Sequence, residues 1–194
     1  MLRKFVAIVA FILLMSGTAS ALELSADFVT THGSFSTSGT MYFTGDKIRM
    51  DMNSPQKMSS IIRKDKKVVW NIMHGQRSYM ELPLSEDDRK PKVEKKFNGE
   101  IGRELVGKET IDGHPTEKYL ITYKERNNTN KVYQWWATDI NFPVKMEDVD
   151  GQWKQEYKNI KMGKQDDSLF EIPAGYKKFE MPAGMAFPGR MKNN

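Results

Sequence analysis

Three histidines, His32, His74 and His114, are the only side chains of their kind in the 194-residue chain. None stands at zinc-ligand spacing from another. His74 precedes Gly75 and His114 precedes Pro115, so both are expected in solvent-exposed turns rather than in a metal site. Acidic residues are frequent, but they alternate with lysines, and no pair is placed to isolate one carboxyl group from water and raise its pKa. No serine lies in a nucleophile-elbow pattern. The absence of cysteine removes thiol catalysis, thiolate metal sites and haem attachment. The expectation is a protein with no catalytic residues, no bound metal and no cofactor, and not an enzyme.

The thirteen methionines offer two other chemistries. Thioethers are flexible and polarisable, and suit a surface that accepts apolar ligands of variable shape. They also bind Cu(I), usually crowded together with histidines. Met41, Met50, Met52, Met58, Met73 and Met80 alternate with other residues among Phe, Ile and Trp, which favours an apolar surface. Met181, Met185 and Met191 stand apart in a closing stretch rich in Pro and Gly. They carry the alternative reading, a Cu(I)-handling protein. A structural or adaptor domain with a filled core is the third.

The elements that must position these residues are short strands. Arg3 and Lys4 precede an apolar run at 5–15, and small residues end at Ala19-Ser20-Ala21. This is the pattern of a secretory signal peptide cleaved after Ala21, since a membrane-crossing helix needs ~20 apolar residues. No cysteine follows, so a lipoprotein is not expected, and the mature chain is expected in the periplasm. Residues 22–176 read as one mainly β domain and 177–194 as a flexible tail. The net charge of +5 is spread in alternating signs, which gives nucleic-acid binding no electrostatic basis.

The clearest hairpin spans 40–52 around Gly45-Asp46. A two-residue loop there sets Phe43 against Ile48 and Met41 against Met50, with Met52 on the same face. Tyr42 with Arg49 and Thr44 with Lys47 take the other. Two further hairpins at 57–81 are apolar at both parities: Ile61, Trp70, Ile72 and Tyr79 at one, Met58, Ile62, Val69, Met73 and Met80 at the other. A sheet apolar on both sides is covered on both sides. Turns are expected at Asp65-Lys66, His74-Gly75, Asp112-Gly113 and Asp150-Gly151, and a polar loop with a short helix at 82–98. An apolar ligand surface is expected from Met41, Phe43, Ile48, Met50 and Met52, joined by Ile61, Trp70 and Ile72 and, from later strands, Tyr119, Ile121, Trp136 and Met146.

Three segments carry a family resemblance. Trp136-Ala137-Thr138-Asp139 leads through Phe142-Pro143-Val144-Lys145, and Ser168-Leu169-Phe170-Glu171-Ile172-Pro173-Ala174-Gly175-Tyr176 follows near the end. They resemble the LolA/LolB-like proteins that carry outer-membrane lipoproteins. Gly45-Asp46-Lys47-Ile48-Arg49-Met50 and Ile62-Arg63-Lys64-Asp65-Lys66-Lys67-Val68-Val69-Trp70 look closer still to an uncharacterised Met-rich periplasmic family placed beside them. The resemblance implies an unclosed antiparallel β-barrel with one or a few short helices over its concave face. It also implies a hydrophobic ligand, a lipid or lipoprotein acyl chain, and a membrane-associated donor or acceptor protein as partner. The carrier family uses a gating arginine, for which Arg49 and Arg63 are both open positions here.

Overall fold

The computed structural model describes residues 22–53, 57–84, 95–125 and 127–179. The expected signal peptide, most of the charged loop and the methionines at 181, 185 and 191 lie outside these residues. Twelve strands form one sheet: β1 Leu24–His32, β2 Phe35–Thr44, β3 Lys47–Met52, β4 Met58–Arg63, β5 Val68–Met73, β6 Ser78–Pro83, β7 Glu100–Ile111, β8 His114–Glu125, β9 Asn128–Ala137, β10 Phe142–Asp148, β11 Trp153–Met162 and β12 Lys177–Lys178. Their order is β12-β6-β5-β4-β3-β2-β1-β11-β10-β9-β8-β7. All neighbours are antiparallel except β12 on β6. β7 and β12 remain at opposite edges, so the barrel is unclosed, as the sequence resemblance implied. The sheet also extends into the stretch expected to be a flexible tail, because Lys177 and Lys178 pair with Ser78 and Tyr79.

Turn chemistry places the strands. Asp112 and Gly113 have φ of 51° and 83°, the paired left-handed residues of a type I′ hairpin. Gly151, with φ of 68°, turns the chain between β10 and β11. The loop after β2 sets the register expected from sequence, with Met41 opposite Met50, Tyr42 opposite Arg49, Phe43 opposite Ile48 and Thr44 opposite Lys47.

No α-helix occurs among the described residues. Two 3₁₀ turns occur, His74–Gln76 between β5 and β6 and Asp167–Phe170 after β11; most of 82–98, where a short helix was expected, lies outside the described residues. The second is followed by an extended segment, and together they form a strap over one face, so the chain uses irregular backbone as its cover.

At Gly39 the backbones of β2 and β3 leave no room for a side chain. A Cβ placed there would stand 1.8 Å from the Asp51 carbonyl oxygen, a backbone atom that cannot swing aside. Gly39→Ala is expected to destabilise the fold by at least about 1–3 kcal/mol, read as a lower urea midpoint. An unchanged midpoint would show that the two strands separate freely at this point.

Candidate functional site

Cross-strand pairing sorts the side chains of β1–β6 into two faces, because directly opposed residues point to the same side. On one face three rows run across six strands. The first is Leu24, Phe43, Ile48, Ile62, Val69 and Leu82. The second is Ala26, Met41, Met50, Ser60, Asn71 and Met80. The third is Phe28, Gly39, Met52, Met58, Met73 and Ser78. No charged residue belongs to any row. We call this the Met face. Its β1–β2 end is buried in a cluster with Trp135, Ala137, Phe142 and Val144, whereas Ile48, Met50, Met52, Met58, Ile62, Val69, Met73, Met80 and Leu82 are half-buried.

The opposite face of β3–β6 is closed by the strap, residues 166–178. Phe170 is fully buried against Ile61, Trp70 and Ile72, with Leu169, Ile172 and Tyr176 around it. Arginines on the strands hold the strap backbone. Arg49 Nη1 donates to the Leu169 carbonyl at 2.7 Å and Arg63 Nη1 to the Phe170 carbonyl at 3.0 Å. Arg63 also forks onto Asp65 at 2.8 and 2.6 Å and pairs with Glu171. Lys47 pairs with Asp167. The Arg63 guanidinium holds the Asp65 carboxyl at about 2. Both candidate gating arginines are thus occupied in fastening the strap.

His74 belongs to the same fastening. Its Nδ1 lies 2.9 Å from the Tyr176 hydroxyl and its Nε2 2.7 Å from Ser59 Oγ, while Ser59 donates to Asp51. With the serine proton committed to Asp51, Nε2 carries the imidazole proton and Nδ1 accepts from Tyr176. This is not a nucleophile triad, in which the imidazole stands between serine and carboxylate. Here the serine stands between, and it is 1% exposed.

Burial pushes the His74 pKa below its ordinary 6.5. Above pH 6.5 neither folded nor unfolded chain is protonated there, and this contribution is fully present. As pH falls below 6.5 the unfolded chain takes up a proton that the folded one resists, so stability is lost in that window. A plot of urea midpoint against pH should therefore fall more steeply below 6.5 in the natural chain than in His74→Gln. Superimposable slopes would remove His74 as the cause.

The twelve residues expected to form one apolar lining do not share a surface. Met41, Phe43, Ile48, Met50 and Met52 lie together on the Met face. Ile61, Trp70 and Ile72 are on the opposite face, beneath Phe170, so that lining is filled by the chain itself. The remaining four lie across the sheet on β8–β10. Ile121 is fully buried opposite Val132. Trp136 is buried and donates to Asn141 at 3.2 Å. Met146 opposes Gln134 and Gln155. Tyr119 bonds Glu117 and lies under the cations of Lys95 and Arg103, each 4.7 Å from the ring centre. Pairing instead adds Leu24, Ala26, Phe28, Met58, Ile62, Val69, Met73, Met80 and Leu82 to the Met face. For those on β4 and β5 the sequence signal was their shared parity. His74, expected in solvent, is half-buried.

Among the described residues no cluster of three His, Asp or Glu is placed to hold a metal ion, and no helix is long and apolar enough to cross a membrane.

Residues 25–141 match the model of a family described as Domain of unknown function (DUF4412). No curated protein matches the chain. Among solved structures, a chain of the Pseudomonas aeruginosa MucA/MucB complex is 12% identical, with a TM-score of 0.56 over 80% of this chain and 57% of its own length. This chain therefore spans little more than half of that protein. The Mycobacterium tuberculosis lipoprotein LppX is 15% identical, with a TM-score of 0.47 over 69% of this chain and 83% of its own. A LolA superfamily protein from Nitrosomonas europaea is 14% identical, with a TM-score of 0.36 over 78% and 90%. The first of these, with its TM-score above 0.5, shares the fold of this chain, an open antiparallel sheet of the kind that the sequence resemblance implied.

Proposed function

Starting from a chain that belongs to the DUF4412 family, for which no activity is described, we propose a binding protein of the periplasm that carries a hydrophobic ligand on the Met face. The observation that carries this reading is the contrast between the two faces of β3–β6. The strap side has its apolar residues sealed by Phe170, whereas the β3–β6 part of the three Met-face rows stays half-buried and free of charge. Apolar area left in contact with water is covered favourably by any hydrocarbon that fits.

A lipid or lipoprotein acyl chain fits this description. Each methylene buried contributes ~0.8 kcal/mol, so one long chain binds reversibly. Unbranched thioether side chains repack around chains of different length at low cost. Reversible binding is what a carrier needs in order to be loaded and emptied by a membrane-associated donor or acceptor protein.

Native mass spectrometry of protein taken from the periplasm should show a lipid-sized adduct, and the delipidated protein should take up a fluorescent fatty acid. Absence of both would overturn the reading and leave the sheet with a structural role.

A further inference from the structure

The Met face is interrupted near its middle. Ser60 on β4 opposes Asn71 on β5. Their row continues to Met50 on one side and Met80 on the other. The rows on either flank set Ile62 against Val69 and Met58 against Met73. Two polar side chains therefore sit inside a closed ring of six apolar ones. The third polar residue of the rows, Ser78, stands apart at the β6 end. Ser60 and Asn71 are half-buried, and neither side chain hydrogen-bonds to any described residue.

This pair has a chemical consequence for whatever covers the face. An amide side chain offers two N–H donors and a carbonyl acceptor, and a hydroxyl offers one donor and two acceptors. Plain hydrocarbon laid over them would strip their water and return nothing, which is unfavourable. An ionised group would satisfy them but would itself lose water in a ring without a counter-charge. A neutral carbonyl satisfies both requirements, because it accepts from the amide and the hydroxyl while the chain attached to it covers the methionines.

We propose that Ser60 and Asn71 are a specificity site for a neutral carbonyl linkage, the amide or ester that joins a long acyl chain to its head. The inference rests on the carrier reading and adds the ligand class to it. The linkage lies over the pair and the hydrocarbon runs along the rows. Free fatty acid anions and bare alkanes are the classes it discriminates against.

The test is displacement of an environment-sensitive naphthylamine dye from the full-length protein by a matched series. The series comprises methyl myristate, N-methylmyristamide, an alkyl ether of equal length and the myristate anion. The ester and amide should displace the dye about ten-fold more tightly than the ether or the anion. In Ser60→Ala/Asn71→Leu the preference should shrink to within about two-fold, with the ether bound at least as well as before. Equal affinities across the series in the natural chain would overturn the specificity site while leaving the carrier reading intact. Persistence of the preference in the double variant would do the same. Failure of every compound, ether included, to bind the natural chain would overturn the carrier reading and this inference with it. The comparison within the natural chain needs no variant, and Ser60→Ala alone should lose part of the preference if the double variant does not fold.

Discussion

Phe170→Ala is expected to lower the free energy of unfolding by about 3–5 kcal/mol. The side chain is fully buried against Ile61, Trp70 and Ile72, and none of these can follow the retreating ring because each is fixed in a paired strand. The cavity would open beneath a strap whose other fastenings, the arginine bonds to its carbonyls and the His74–Tyr176 contact, are polar and do not fill the space the ring leaves. Domains of this size have about 5–15 kcal/mol in total, so the loss takes a large share. Urea titration measures it, and limited proteolysis should show earlier cleavage within 166–178. A cost below about 1 kcal/mol would mean that the strap rests on the sheet without being part of its core.

Met50→Asp is expected to weaken binding of a fluorescent fatty acid by about a hundred-fold or more, because the bound chain would have to desolvate a carboxylate without a partner. Met50 lies in the central row, between Met41 and Ser60, so a ligand on the face cannot avoid it. Val149→Asp provides the comparison. That side chain is 45% exposed and belongs to no Met-face row, and its replacement should leave binding unchanged. Circular dichroism establishes that each variant is folded. Equal binding by the two variants would place the ligand elsewhere.

The β2–β3 hairpin was legible down to its register, because a two-residue loop and a one-sided apolar pattern leave a single pairing that agrees with both. The strands that follow it were legible as apolar on both faces, since β4 and β5 are apolar at both parities. Which face the chain itself covers was not, and the cover expected on the second face is not seen among the described residues. Phe170 lies about a hundred positions along the chain from its contacts, and nothing local to Ile61, Trp70 or Ile72 distinguishes a socket for the chain's own phenyl ring from a surface for a ligand. His74 escaped for the same reason. A histidine before glycine reads as an exposed turn, and its partners Ser59 and Tyr176 are brought to it only by the sheet and the strap. The resemblance led to an expectation of short helices over the sheet; among the described residues the strap covers the β3–β6 face.

The order of the strands divides the chain in time as well as in space. β1 to β6 are each neighbours of the next, and so are β7 to β11, so either run can zip up by successive hairpins soon after it is synthesised. The seam between them joins β1 to β11, with Leu24 opposite Met162, and it cannot close until almost the whole described chain has left the ribosome. Long-range closure of this kind sets folding in the range of about milliseconds to seconds. Until the seam closes, β1 offers an unpaired edge to any other strand it meets, which gives a newly made chain reason to be shielded until its eleventh strand arrives.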